Sequence, residues 1–92
     1  MKYKYKTESE LLKALAHPMR MQIIELLLSG LTLEGCSVNS IQKKMGIPQP
    51  TISQHLQILR SKGIIDGSKK GVEVCYKVVD KRVVKILQIL EK

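Results

Sequence analysis

Glutamine and serine side chains recur along Gln49-Pro50-Thr51-Ile52-Ser53-Gln54-His55-Leu56-Gln57-Ile58-Leu59-Arg60-Ser61, and such groups can exchange hydrogen bonds with base edges in a DNA major groove. At about 100° per residue, Ser53, Gln54, Gln57 and Ser61 gather on the side opposite Ile52, Leu56 and Leu59. The polar face has no charge of its own, and Arg60 and Lys62 flank it where phosphate oxygens would lie. That is the composition of a recognition helix. An ordinary amphipathic surface helix is the plainer alternative, and the neighbouring elements decide between the two.

A helix reads bases only when other elements hold it at groove depth. Upstream, Ser37 is a natural N-cap, Val38, Ile41 and Met45 keep helical spacing, and Gly46 is a stop signal. Only a tight turn fits between Gly46 and Thr51, as in a helix-turn-helix. Downstream, Ile64-Ile65 and 72–78 read as two strands around a turn at 67–71, with Val74, Tyr76 and Val78 alternating against Glu73, Cys75 and Lys77. Near the start, Thr7 and Glu10 suggest a capping box for a first helix carrying Leu11, Leu12, Ala14, Leu15 and Ala16. His17-Pro18 breaks that helix, and Pro18 opens a second, apolar on most sides through Leu28, which must be central. The linker over 30–35, with Leu31 and Leu33 alternating, could lie beside the second wing strand as a third strand. After Asp80, a good N-cap, comes a final helix. The expected architecture is mainly α with a β-hairpin wing, a winged helix-turn-helix in the order α-α-α-α-β-β-α, as one domain over 1–92.

With 92 residues, the chain buries only about 60–65% of its unfolded surface, so it would gain from a partner. The final helix has apolar Val83, Val84, Ile86, Leu87, Ile89 and Leu90, wider than the stripe of about 100° that one core requires. This points to a homodimer through Leu11, Leu12, Val83, Val84, Leu87 and Leu90; coverage of both terminal helices within one chain is the alternative. The net charge of +8 favours a polyanionic partner. No apolar stretch follows the basic start and no run approaches the roughly 18 residues of a membrane span, so a cytoplasmic protein without membrane contact is expected. There the two cysteines are reduced by default. A glycine-rich phosphate loop and paired acid and base are both missing from the sequence, and so short a chain has little room for a pocket, so neither catalytic residues nor a cofactor are expected.

Two motifs, Leu15-Ala16-His17-Pro18-Met19-Arg20-Met21-Gln22-Ile23-Ile24 and Gln49-Pro50-Thr51-Ile52-Ser53-Gln54-His55-Leu56, show that the chain resembles the ArsR/SmtB family of bacterial transcriptional repressors, over nearly its whole length. The resemblance implies a homodimeric winged helix that occupies palindromic double-stranded operator DNA and releases it when an inducer is sensed. By the same resemblance Gln49, Ser53 and Gln54 take base- or backbone-contacting positions, Thr51 neighbours a phosphate, and Lys69 and Lys70 sit in the wing. His55 and Arg20 fit packing or local hydrogen-bonding roles. The chain departs from the family at Pro48, where serine is common, and in a longer linker before Ser37.

Metal sensing does not carry over. Ser37 and Asn39 stand where arsenic and cadmium sensors have a cysteine pair, and although Asp80 matches a zinc-sensor ligand, Arg82 replaces an imidazole. His17, His55, Cys36 and Cys75 make a nominal set, yet no two share a short ligand spacing. If the segment before the third helix runs beside the second wing strand, as this fold commonly arranges, Cys36 and Cys75 could reach bonding distance and act as a redox pair. The other reading is two unrelated small hydrophobes. A winged-helix protein-interaction module that does not read DNA is the competing function. Against it, the chain has only three tyrosines as aromatic anchors.

Overall fold

Proline, glycine and polar caps divide this chain into its elements. The computed structural model describes residues 3–30 and 36–91: α1 (Lys6–Leu15), α2 (Pro18–Ser29), α3 (Val38–Met45), α4 (Gln49–Ser61), β1 (Ile65–Lys70), β2 (Glu73–Val78) and α5 (Lys81–Leu90). His17 is extended and its Nδ1 accepts from the Met19 N–H at 3.1 Å, with Pro18 in the first turn of α2. Ser37 Oγ accepts from the Ser40 N–H at 3.3 Å, and Gly46, at φ 67°, closes α3. Asp80 Oδ1 accepts from the N–H groups of Arg82 and Val83 at 2.8 and 3.4 Å. The box expected from Thr7 and Glu10 does not form. The helix begins at Lys6 after an uncapped Tyr5, so Thr7 is already inside it, and Ser9 Oγ donates to the Lys6 carbonyl instead. Among the described residues no helix is long and apolar enough to cross a membrane.

The core gathers around α2, which packs against α1, α4, β2 and α5. Ile23 and Ile24 of α2, Ile41 of α3, Ile52 and Leu59 of α4, Ile64, and Val83 of α5 are fully buried. Each such side chain contributes about 1.5–3 kcal/mol relative to exposure. α3 and α4 meet across the short turn at Gly46, Ile47 and Pro48.

The wing is longer than its sequence suggests. β1 and β2 pair antiparallel from Ile65 with Val78 to Lys70 with Glu73, so the expected turn at 67–71 shrinks to the tip Gly71-Val72. Gly71 is at φ 64° and Val72 is not positive, the pattern of a type II′ two-residue turn. Gly67 belongs to the strand because of what lies over it. A Cβ there would come within 2.8 Å of Val74 Cγ1 and 3.2 Å of Tyr76 Cε1, so any other residue would force the Val74 side chain to shift and crowd the Tyr76 ring. The third strand expected from Leu31 and Leu33 lies outside the described residues; the Cys36 carbonyl accepts from the Tyr76 N–H at 3.0 Å.

The terminal helices correct part of the expected dimer contact. Leu11, Val83 and Leu87 are 6%, 0% and 6% exposed, because they point into the chain's own core. Leu12, Ile89 and Leu90 remain 49%, 69% and 60% exposed, and Val84 is half-buried. A charge at Leu87 therefore tests the fold rather than association.

Candidate nucleic-acid interface

Helix α4 separates a buried apolar face from an exposed polar one. Ile52, Leu56 and Leu59 are buried on one side, while Gln49, Ser53, Gln54, Gln57, Arg60 and Ser61 are exposed and Thr51 is half-buried. No side chain caps the helix start. The Pro48 carbonyl accepts from the Thr51 and Ile52 N–H groups at 3.1 and 3.2 Å, and Pro50 has no N–H to satisfy. Gln54, His55, Gln57, Ile58 and Ser61 line one shallow recess. Ile58, 39% exposed, is a member of this face that its apolar type concealed in the sequence, and it is suited to a thymine methyl. Ser61 Oγ donates to the Ile58 carbonyl at 2.7 Å, so its hydrogen is already committed.

The cations are distributed unevenly. Lys62, expected at a phosphate, lies 3.4 Å from Glu10 Oε1 of α1, an exposed pair of small energetic value. Lys69 and Lys70 are exposed on β1 rather than in a loop, and consecutive strand residues face opposite sides of the hairpin. Lys70 stands opposite Glu73, whereas Lys69 stands opposite Val74. A cleft between wing and helix-turn-helix is lined by Ser37, Val38, Asn39, Gln49, Glu73 and Tyr76, with Val72 at its edge. The start of α4 and the wing tip thus form facing walls. Val72 is 98% exposed, a position visible only once the two-residue tip is known.

Behind α4, the His55 and His17 rings meet at a tilt of 54° with centroids 4.6 Å apart, and Arg20 Nη1 lies 3.4 Å from His55 Nδ1. Arg20 Nε donates to the Ala14 carbonyl, so this side chain ties the end of α1 to α2 and α4. Desolvation pushes the His55 pKa below 6.5, and the neighbouring charges of His17 and Arg20 push it the same way. The folded chain therefore binds this proton less readily than the unfolded one. Its stabilising contribution is complete above pH 6.5 and is lost as pH falls through the lower folded value. Urea titrations should show stability declining in that window, with a shallower decline for His55→Gln; identical slopes for the two proteins would contradict this origin.

Among the described residues, no group of three His, Cys, Asp or Glu side chains is placed to hold a metal ion. Asp80 is instead gripped by Arg82, whose Nη2 and Nε donate to its two carboxylate oxygens at 2.9 and 3.2 Å. The guanidinium holds the Asp80 carboxyl below the usual carboxylate range against the opposing effect of burial. Cys36 and Cys75 are joined as a disulfide, with Cα atoms 4.7 Å apart, inside the range such bonds adopt.

Residues 15–67 match the family described as a helix-turn-helix domain. An uncharacterized HTH-type transcriptional regulator of Methanocaldococcus jannaschii is 37% identical over 97% of both chains. The HTH-type transcriptional repressor SmtB of Mycobacterium tuberculosis is 39% identical over 77% of this chain, which spans only 50% of that protein. Among solved structures, a homodimeric winged helix-turn-helix DNA-binding domain of Mycobacterium bovis superposes with a TM-score of 0.80 at 25% identity, covering 98% of this chain and 84% of that one. Motifs, fold and relatives agree: the chain belongs to the ArsR/SmtB family of DNA-binding winged helix-turn-helix transcriptional repressors, which are regulators and not enzymes.

Proposed function

We propose that residues 1–92 act as one DNA-binding unit that represses transcription as a homodimer on an imperfect palindrome of double-stranded DNA, in the cytoplasm, under redox control. The observation that carries the DNA reading is the uncharged, exposed face of α4 beside a cationic wing. Gln49, Ser53, Gln54 and Gln57 reach base edges, while Thr51, Arg60, Lys69 and Lys70 serve the backbone. Lys62 serves the backbone as well, its exposed contact with Glu10 being of small energetic value. Leu12, Ile89 and Leu90, with Val84 at their margin, supply the apolar subunit contact.

Binding titrations on operator and random DNA test the assignment. Gln54→Ala should cost roughly 1–3 kcal/mol of discrimination, since a base contact disappears. Lys69→Ala should weaken both DNAs alike and flatten the salt dependence by about one charge, more than Lys70→Ala, whose ammonium is opposed by Glu73. Equal loss on both DNAs for the Gln54 variant would remove it from the reading set.

Redox control is supported by the placement of Cys36 just before α3 and Cys75 in the wing strand. Peroxide takes two electrons and two protons from the paired thiols, leaving the S–S bond and two waters. The bond ties the wing to the helix-turn-helix and restricts how the two adjust to a groove. Each half-site feels that restriction, so the effect is doubled in a dimer. Oxidation should lower operator affinity reversibly, and Cys36→Ser or Cys75→Ser should bind without responding to peroxide. Unchanged affinity after the bond is verified by mass mapping would defeat the regulatory role.

A further inference from the structure

Apolar packing holds a helix to a core but is not directional. Ile52, Leu56 and Leu59 seat α4 in this way, and the rotation of its reading face about the helix axis needs a directional contact as well. His55, half-buried between Gln54 and Leu56, supplies one. Arg20 can only donate, so His55 Nδ1, 3.4 Å from Arg20 Nη1, accepts, which leaves the ring proton on Nε2. The guanidinium is itself fixed, because its Nε donates to the Ala14 carbonyl at the end of α1. The neighbouring His17 ring also accepts at Nδ1, from the Met19 N–H. Two imidazoles and a guanidinium thus share one place behind α4, with both rings seated in their neutral form. Of the carboxylates on the elements packed against α4, Glu10 of α1 is turned to Lys62, Glu25 of α2 accepts from Gln22, Asp66 of β1 accepts from the Gly67 N–H, and Glu8 is exposed. The lysines of α1, α3 and β1 are exposed too, and the charges that act on His55 are those of His17 and Arg20.

We infer that Arg20 and His55 are positioning residues for the reading face of α4, and that their contact holds only while His55 is neutral, so that acid lowers the discrimination of operator from other DNA. The inference rests on the DNA reading proposed above. A proton on Nδ1 turns an acceptor into a donor. On His55 it removes the Arg20 contact and sets a second cation against the guanidinium; on His17 it removes the cap of α2. Burial first, and then the charges of His17 and Arg20, hold the His55 pKa below 6.5, so the loss belongs to the acid side of neutrality. Added charge alone acts on DNA in the opposite direction, strengthening the grip on every sequence alike. The ratio of affinities for two DNAs, rather than either affinity, therefore reports the seating of α4.

The probes are a duplex selected by the full chain from random-sequence DNA at neutral pH and a scrambled duplex of the same composition. Between about pH 7.5 and 5.5 the ratio of wild-type affinities for the two should fall roughly tenfold, the scale of one hydrogen bond to a charged group, while affinity for the scrambled duplex does not fall. His55→Gln still accepts from Arg20 but does not titrate, so its ratio should stay flat over the same range, whatever its starting value. Arg20→Lys keeps the charge but not the fork that spans Ala14 and His55, and should start from a lower ratio with unchanged affinity for the scrambled duplex. Absence of any discrimination by wild type at neutral pH would remove the DNA reading itself. Discrimination that is present but insensitive to pH, or that falls equally in His55→Gln, would overturn the positioning inference. So would a ratio that rises in acid, a parallel fall on both duplexes, or an Arg20→Lys ratio equal to that of wild type.

Discussion

Reducing the Cys36–Cys75 bond should lower the unfolding free energy by about 4 kcal/mol in the loop-entropy account of cross-links. The bond spans a sequence separation of 39, and opening it returns that loop's freedom to the unfolded chain. Domains of this size have a total stability of roughly 5–14 kcal/mol, so the loss is a large fraction of the whole. Expressed as temperature, it corresponds to a melting point lower by about 15–30 °C. Scanning calorimetry with and without reductant gives the difference, and Cys75→Ser should melt with the reduced protein. Superimposable transitions in the two conditions would mean that the bond does not constrain this chain.

Ile52→Ala should cost about 2–5 kcal/mol, the range for emptying a close-packed site. Ile52 is fully buried at the N-terminal end of the inner face of α4. The consequence for DNA differs from that of Gln54→Ala. Loss of Ile52 should reduce the folded fraction and loosen the helix that presents every reading residue, so operator and random DNA are both affected. Loss of Gln54 removes one contact from a helix that stays in place. Denaturant midpoints measured beside binding curves separate them: a destabilised Ile52 variant with intact affinity would show that α4 is held mainly by other residues.

Elements whose limits are set by local chemistry are legible in the sequence. Ser37, Gly46, Pro18 and Asp80 act within one helical turn of themselves, and all four stand where their types suggest. The inner and outer faces of α4 follow from helical periodicity alone. Properties set by packing across the chain are not legible in the same way. The apolar width of α5 shows that its surface exceeds one core, yet only the placement against α2 shows that Val83 and Leu87 face inward while Ile89 and Leu90 face out. Glycine at 67 looks like a turn residue because the Val74 and Tyr76 side chains that crowd it meet it only through strand pairing. Lys62 is readable as a cation but not as the partner of Glu10, which comes from the first helix.

Gly67 also determines how sequence drift can act on the wing. Around it Asp66, Ser68, Lys69 and Lys70 are exposed, so substitutions there should cost folding little. At Gly67 even alanine would press on Val74 at 2.8 Å and on the ring of Tyr76 at 3.2 Å, and Tyr76 is the residue whose N–H donates to the Cys36 carbonyl and which follows Cys75 in the chain. The wing is thus unequal along its length: a side chain added at its exposed positions meets solvent, while one added at 67 presses on the strand that attaches the wing to the helix-turn-helix.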